Sequence, residues 1–483
     1  MADLKSQVFR GVKWSAICRF YTSLVSMFQV AILARLLSKE DFGLMGIAIL
    51  VNSFCGIFVD MGLTAAAMHE SDLTIRKFSS YYWFNIFTGF CLALLVSLCS
   101  PYLARFYGND ELIGIISLTS IIIFINSLYS LQKTFQQKNM RFGYIGAIDI
   151  FAATIVLILN IILALNGFGV YSLVLSSLTG ATVTAMVYLW IAFVKEKNVF
   201  FYFNFEEVKE ALKIGLYQVG SSMLDFISTE MDSFVISSCM PLDIFGIYTL
   251  FKNLTRRIYD VINPIITNVF TPVLAKIQDD KEKVTKIYVR IVETLGFINF
   301  PIYSIIALAS FSLISIMYGE TYSSYSFVLM CMAFFYAFQS CGNPVGALLV
   351  ALGRTDRGFY WTIYRIIFTT FYLYVASHFS LKVFSLLIFL IPQLVAFPCW
   401  WIIYREVTNL SFVESYLLPM KPFLVSIIFF PLYFLDRIIN VPIVGFLVIA
   451  SLFIVGYIYA NLIFRKKLIL ENLGVVKDLI NNR

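Results

Sequence analysis

The sequence predicts an all-α integral membrane protein of about fourteen transmembrane helices, arranged as two pseudo-symmetric six-helix bundles followed by two further helices. Three observations carry this expectation: a composition too apolar for water, apolar runs of bilayer length, and a one-sided distribution of basic residues. Only 13% of the 483 residues are charged, whereas 60% are apolar and 17% aromatic. Mean hydropathy is +0.83. A soluble domain carries about 25% charged and 45–50% apolar residues, because its surface must face water. The composition therefore excludes a soluble enzyme, a nucleic-acid-binding module and a disordered chain.

The spans follow from length. A hydrocarbon core of about 30 Å is crossed by roughly 20 helical residues at 1.5 Å each. Apolar runs of that size lie at 12–37, 42–66, 79–103, 112–132, 144–165, 168–194, 211–238, 242–272, 291–316, 324–351, 358–378, 381–403, 418–436 and 441–463. They are continuous and far longer than the alternating ten-residue strands of a membrane barrel, so helices are expected. The eight cysteines all fall inside apolar stretches without a C-x-x-C pair, and only His69 and His378 could join them at a metal. They are expected to be packing residues. The segment Met1–Arg10 has no short apolar core followed by a cleavage site, so it is expected to stay in place.

Charge sets the orientation. The formal net charge is +7, and the basic residues occupy short gaps between apolar runs, which points to membrane orientation rather than a nucleic-acid partner. With the N-terminus in the cytoplasm, twenty-six of the 36 basic residues fall on the inner side, concentrated at Lys5–Lys13, Lys133–Arg141, Lys195–Lys213, Lys276–Arg290 and Arg465–Arg483. Only Arg35, Lys39, Arg105, Lys382 and Arg437 fall outside. Both termini are therefore expected in the cytoplasm. Arg19, Lys252, Arg256, Arg257 and Arg365 lie within spans.

An internal repeat is visible. Leu37-Ser-Lys-Glu-Asp-Phe-Gly43 after the first run matches Met240-Pro-Leu-Asp-Ile-Phe-Gly246 after the seventh, with Phe42-Gly43 falling on Phe245-Gly246. The interval holds six spans, so the halves share one orientation in the membrane. The expected organisation is an N-terminal lobe at 1–200, a C-terminal lobe at 207–407, and two added helices with a tail at 408–483. Two such bundles facing a central cavity form a transporter plan.

These residues also carry a family resemblance. The stretch from Met231-Asp-Ser-Phe through Asp243-Ile-Phe-Gly-Ile-Tyr248 to Lys252 is similar to the pattern of the polysaccharide exporters and lipid-linked oligosaccharide flippases (Wzx-type) of the multidrug/oligosaccharidyl-lipid/polysaccharide (MOP) exporter superfamily. Further matches are Pro264 and Pro272 with Leu274–Asp280, Pro301, Tyr318-Gly319, Ala351-Leu-Gly-Arg354, and in the first half Arg35–Gly43 and Asp60-Met-Gly-Leu63. Tyr322 stands where many relatives carry Trp. The resemblance extends to about residue 405. It implies a multi-pass protein of the bacterial cytoplasmic (inner) membrane that moves an undecaprenyl-diphosphate-linked oligosaccharide outward, with membrane lipids and a glycan polymerase as partners.

Polar stripes inside the spans nominate a site. Ser15, Arg19, Thr22, Ser26 and Gln29 recur within about 80° of arc on the first span. Arginine at bilayer depth costs at least about 2.5–3.5 kcal/mol, so Arg19 should face a wet cavity or an anion. Lys252, Arg256, Asp260 and Asn263 line one face of span eight, and Thr362, Arg365 and Thr369 one face of span eleven. Arg19, Lys252, Arg256 and Arg365 are the expected substrate-binding residues, since guanidinium groups match a diphosphate bidentately. For Arg256 and Arg257 the alternative is snorkelling or an internal pair with Asp260.

On span seven, Ser222, Asp225, Thr229 and Asp232 share a face. Asp225 and Asp232 are expected to carry the coupling ion, Na⁺ or H⁺; a structural pair of Asp232 with Lys252 is the alternative. No other cofactor and no metal site is expected. A cation-coupled multidrug extruder of the same superfamily would use acidic residues such as Asp60 or Asp149, against which Arg19 argues. A membrane glycosyltransferase or polymerase would need sizeable outer loops, which are absent, and no phosphate-cradling G-x-x-x-x-G-K-[ST] occurs. The chain is not expected to be an enzyme. The glycan and the oligomeric state are not specified by the sequence.

Overall fold

The structure, a computed structural model, describes residues 2–70 and 73–460. Its regular structure there is helical, in rods we number α1 (Ala2–Leu36), α2 (Lys39–Asp60), α3 (Ile75–Tyr107), α4 (Glu111–Lys138), α5 (Phe142–Leu165), α6 (Val170–Lys195), α7 (Phe205–Cys239), α8 (Leu242–Lys276), α9 (281–317), α10 (Glu320–Ala351), α11 (Thr355–Ser377), α12 (Leu381–Val407), α13 (412–436) and α14 (Pro442–Ala460). Ten of these are long and apolar enough to cross a membrane. The four that fall short are α7, α8, α11 and α13, so the sequence-based count of fourteen exceeds the ten that meet both conditions. On α7 and α11 the reason is chemical, since they carry Asp225, Asp232 and Arg365 inside the run. Arg465, Lys466, Lys467, Lys477 and Arg483 lie outside the described residues, as do the side chains of Lys5, Arg10, Lys13 and Ser15.

Polarity is arranged as a membrane demands. On α3, Phe87, Phe90, Leu94, Leu98 and Phe106 are exposed, whereas Ser79, Asn85, Thr88, Gly89 and Ser100 are buried. Small residues let backbones approach closely, and buried polar groups bond across the helices. Asn85 donates to the Ser127 carbonyl at 2.8 Å and to Ser130 Oγ at 2.9 Å, and Thr88 donates to the Val59 carbonyl at 2.9 Å.

Two compact units divide the chain, Met1–Leu250 and Phe251–Arg483. The division falls within α8 rather than in the charged stretch near residue 200. The first unit retains α7, which packs on α2 and α3. It also retains the start of α8, for a reason the repeat supplies. A Cβ on Gly43 would lie 2.3 Å from the Leu242 carbonyl oxygen, and one on Gly246 would lie 1.9 Å from that of Lys39. The two Phe-Gly motifs are thus in reciprocal contact, each glycine admitting the other copy's backbone, as in a two-fold interface.

In the second unit α9 packs on α10, α10 on α12, and α11 on α12, the same neighbours that α3, α4, α5 and α6 make in the first. Helix α13 is integral to the second unit rather than appended. Phe423 stands among Phe300, Phe334, Phe338 and Phe389. Asp436 accepts the backbone N–H groups of Phe311 and Ser312, at 2.9 and 3.1 Å, where α9 breaks at Ala309.

Candidate functional site

In the first unit, α1 lies along α5 in parallel. Trp14 Nε1 donates to the Gly143 carbonyl at 3.3 Å, Cys18 fills the notch beside Gly146, and the hydroxyls of Tyr21 and Thr154 are 3.3 Å apart. At 100° per residue, Arg19, Thr22, Ser26 and Gln29 lie about a quarter-turn from that packed face. They point roughly opposite to Phe20, Leu24 and Phe28, which are 60%, 38% and 64% exposed. Arg19 is exposed on this polar side, away from the apolar outer strip. One packed face, one apolar face and one polar face is the arrangement of a helix bordering both lipid and water.

The coupling candidates share α7 but not an environment. Asp225 is exposed, and the Thr229 hydroxyl donates to its backbone carbonyl at 2.8 Å. Asp232 lies two turns on, about 10 Å along the axis, and its carboxylate accepts the Tyr248 hydroxyl. The helix keeps the two carboxylates on one face without joining them. Asp60, a candidate for a cation extruder, is committed to Thr64: it accepts that residue's N–H at 2.9 Å and its hydroxyl at 2.6 Å.

The second unit brings predicted residues together. Arg256 Nε lies 3.7 Å from Asp260 Oδ2. The charges of Asp260, Arg365 and Arg256 all act on Tyr259, whose hydroxyl accepts from Asn343 Nδ2. Arg256 of α8 and Arg365 of α11 therefore share one neighbourhood. Beside Arg365 runs an aromatic ladder on α11: Trp361 and Tyr364 stack at 5.8 Å and Tyr364 and Phe368 at 6.0 Å, nearly parallel. Lys252 is buried, 5% exposed, on the same helix as Arg256. Asn263, read from the sequence as part of the polar face, is a packing residue. It is 1% exposed, donates to the Ser340 carbonyl at 3.1 Å and accepts from Asn299.

Sequence reasoning missed the ion pair of Lys133 and Asp149. Lys133 reads from the sequence as an inner-side topology marker, but it lies on the last segment of α4, Ser130–Lys138. Its Nζ is 3.0 and 3.2 Å from the two Asp149 carboxylate oxygens on α5. The available signal was Ser130–Lys138 itself, a polar segment whose apolar residues, Leu131 and Phe135, stand four apart on one helical face. The aromatic ladder was missed too, although Trp361, Tyr364 and Phe368 stand at helical spacing.

Comparison with known proteins bears on this arrangement. The family model described as "Polysaccharide biosynthesis protein" matches residues 32–327. Among curated proteins, the chain is 26% identical to the teichuronic acid biosynthesis protein TuaB of Bacillus subtilis (strain 168), with 88% of each chain covered. It is 24% identical to the lipopolysaccharide biosynthesis protein WzxC of Escherichia coli (strain K12), covering 75% of this chain and 74% of that one. The succinoglycan biosynthesis transport protein ExoT of Rhizobium meliloti (strain 1021) is 23% identical over 75% and 73%. Among solved structures, the fold is similar to the lipid II flippase MurJ in an inward closed conformation, with a TM-score of 0.74 at 14% identity over 94% of this chain and 99% of that one. An inward-facing MATE family transporter of the MOP superfamily gives 0.58 at 14% identity, over 86% and 98%.

Proposed function

The chain belongs to the polysaccharide biosynthesis protein family, and from that premise we propose that it flips an undecaprenyl-diphosphate-linked oligosaccharide across a bacterial cytoplasmic membrane by ion-coupled alternating access. Its fold is that of flippases and transporters. The observation that carries the reading is the shared neighbourhood of Arg256 and Arg365 around Tyr259, beside the α11 ladder. Guanidinium groups bind the diphosphate as planar forks, and Lys252 adds positive charge on the same helix as Arg256; in the first unit, Arg19 offers a guanidinium of its own. Sugar rings lay their apolar faces on Trp361, Tyr364 and Phe368. A cation at Asp225 or Asp232 resets the protein after release, and both termini lie in the cytoplasm. A glycan polymerase receives the product at the outer face.

The test is export in a deletion strain, read as polysaccharide at the surface and as lipid-linked intermediate on the inner leaflet. Arg365→Ala and Arg256→Ala should each lower export about ten- to a hundredfold at normal abundance, with Arg→Lys restoring part. In proteoliposomes, the double change Asp225→Asn and Asp232→Asn should remove gradient dependence. Normal export by Arg365→Ala would overturn the substrate reading.

A further inference from the structure

The ion pair of Lys133 and Asp149 joins the end of α4 to α5. Both side chains stay partly open, 30% and 37% exposed, Lys133 on the polar last segment of α4 and Asp149 on the apolar α5. A charged pair left open to hydrocarbon would be costly, so the open side faces water. Among the described residues, the two Asp149 oxygens are the only acceptors bonded to the Lys133 ammonium, which has three protons to donate. Around the pair stand Tyr129 and Tyr188, stacked at 5.7 Å, and Cys18 of α1, all within reach of the Asp149 charge. Among the described residues, the fully buried Tyr188 hydroxyl finds no hydrogen-bond partner.

The depth of the pair matters. Because α1 runs parallel to α5 with Cys18 at Gly146 and Tyr21 at Thr154, Asp149 lies level with Arg19. By the charge bias, Arg19 and Asp149 stand in the cytoplasmic part of their apolar runs, 12–37 and 144–165, the side from which a lipid-linked substrate is loaded.

We propose that Lys133 is a diphosphate ligand held in reserve by Asp149, forming with Arg19 an anion-loading subsite in the first unit. This deepens the transport reading and rests on it. A lone carboxylate brings one negative charge to the ammonium, whereas a diphosphate brings two or more with more acceptor oxygens. The arriving diphosphate displaces Asp149 from Lys133, and the carboxylate, already partly open to water, remains solvated. With no substrate present the pair keeps the ammonium neutralised, so smaller anions gain little there.

The experiment measures binding of undecaprenyl diphosphate to the purified full-length protein in lipid nanodiscs, beside export in cells. Lys133→Ala should weaken binding about ten- to a hundredfold, and Asp149→Asn should strengthen it severalfold by removing the competing anion. The double variant Lys133→Met with Asp149→Leu removes both charges and leaves no orphan, so it should keep normal abundance and thermal stability. It should nevertheless bind as weakly as Lys133→Ala. A double variant that binds and exports normally would reduce the pair to a structural bridge and overturn the proposal, as would Asp149→Asn weakening binding as much as Lys133→Ala. Wild-type binding matched by Lys133→Ala would overturn the subsite alone. Failure of the wild-type protein to bind would overturn the transport reading together with it.

Discussion

The two copies of the repeat are alike at their ends and unlike in their interiors. In the first, Met140 takes a positive φ of 57°, Arg141 opens α5, and α6 ends in a π-helical turn, Ile191–Lys195, followed by Glu196. In the second, Gly353 takes a φ of 65°, Arg354 opens α11, and α12 passes through a π-helical turn, Trp400–Tyr404, before Glu406. Arg141 pairs with Glu196, and Arg354 with Glu406. The same clamp is built twice, and π-turns of this kind are rare enough that two at matching places argue for one ancestral device. The interiors differ in charge. The first unit holds the balanced pair Lys133 and Asp149, and the second holds Arg256, Arg257 and Arg365 in the neighbourhood of the Asp260 carboxylate. The shared ends are scaffold, and the divergent interiors carry the chemistry.

The comparison is broken most severely at the two Phe-Gly motifs. A methyl group at Gly246 would sit 1.9 Å from a backbone oxygen, and one at Gly43 would sit 2.3 Å from its counterpart. Neither oxygen can swing aside, since each belongs to a helix. Gly246→Ala and Gly43→Ala should each cost about 3 kcal/mol or more and lower abundance sharply. Because the contact is reciprocal, the double variant should cost less than the sum. Gly220→Ala, where a Cβ would meet no atom of the described residues within 4 Å, should be neutral or stabilising by up to about 1 kcal/mol. Thermal unfolding in detergent measures all four. Normal stability of Gly246→Ala would remove the reciprocal contact from the fold.

A smaller effect separates the two clamps. Glu196 is 13% exposed and gathers neutral amides as well as Arg141: Gln136 donates to it at 2.9 Å and Gln132 at 3.3 Å. Glu406 is 35% exposed and is held by two guanidinium groups, Arg354 and Arg357, with Asp356 alongside. Glu196→Ala orphans buried donors and should cost about 2 kcal/mol at any salt concentration. Glu406→Ala loses a screened surface pair and should cost about 1 kcal/mol or less, shrinking further in high salt. Unfolding of both variants at low and high salt checks this. Equal salt dependence would mean that the two clamps work alike.

What the sequence disclosed follows the range of each interaction. Helices, the Phe-Gly repeat and the stripe through Arg19, Thr22, Ser26 and Gln29 are local or periodic, and they were legible. So was the clustering of charge on α7, α8 and α11, which also lowers the hydropathy of those rods. Contacts between rods were not. Arg141 and Glu196 stand 55 positions apart, and Lys133 and Asp149 are 16 apart across a turn. Their side chains meet only because α4, α5 and α6 converge. Asn263 shows the converse: helical phase put it on the face of Arg256, but the neighbouring α10 and α9 claimed both ends of its amide.

The smallest expected effect is that of pH, and it sharpens the comparison by its absence. Around the clamp of the second unit, the Arg354 guanidinium holds the Asp356 carboxyl below the usual aspartate range. At the start of α9, hydrogen bonds from Lys283 do the same for Asp280, and at the start of α13 those from Ser411 lower Glu414. A carboxyl whose folded value lies below its unfolded one adds stability that is fully present above the unfolded value, and loses it as pH falls through the folded value. That window lies at and below about pH 4. All three groups are at the surface, where water screens the pairs, so the loss should be slight even there. Glu414 is held by the backbone N–H and hydroxyl of Ser411, and Asp280 by the Lys283 ammonium and then its backbone N–H, none of which loses its proton below pH 8, so raising the pH to 8 adds nothing. The unfolding temperature should therefore be flat from pH 5 to 8, in the wild-type protein and in Glu406→Ala alike. A scan of unfolding against pH at constant ionic strength tests this. A step between pH 5 and 8 that vanished in Glu406→Ala would show that the second clamp, unlike the first, is a proton-sensitive element.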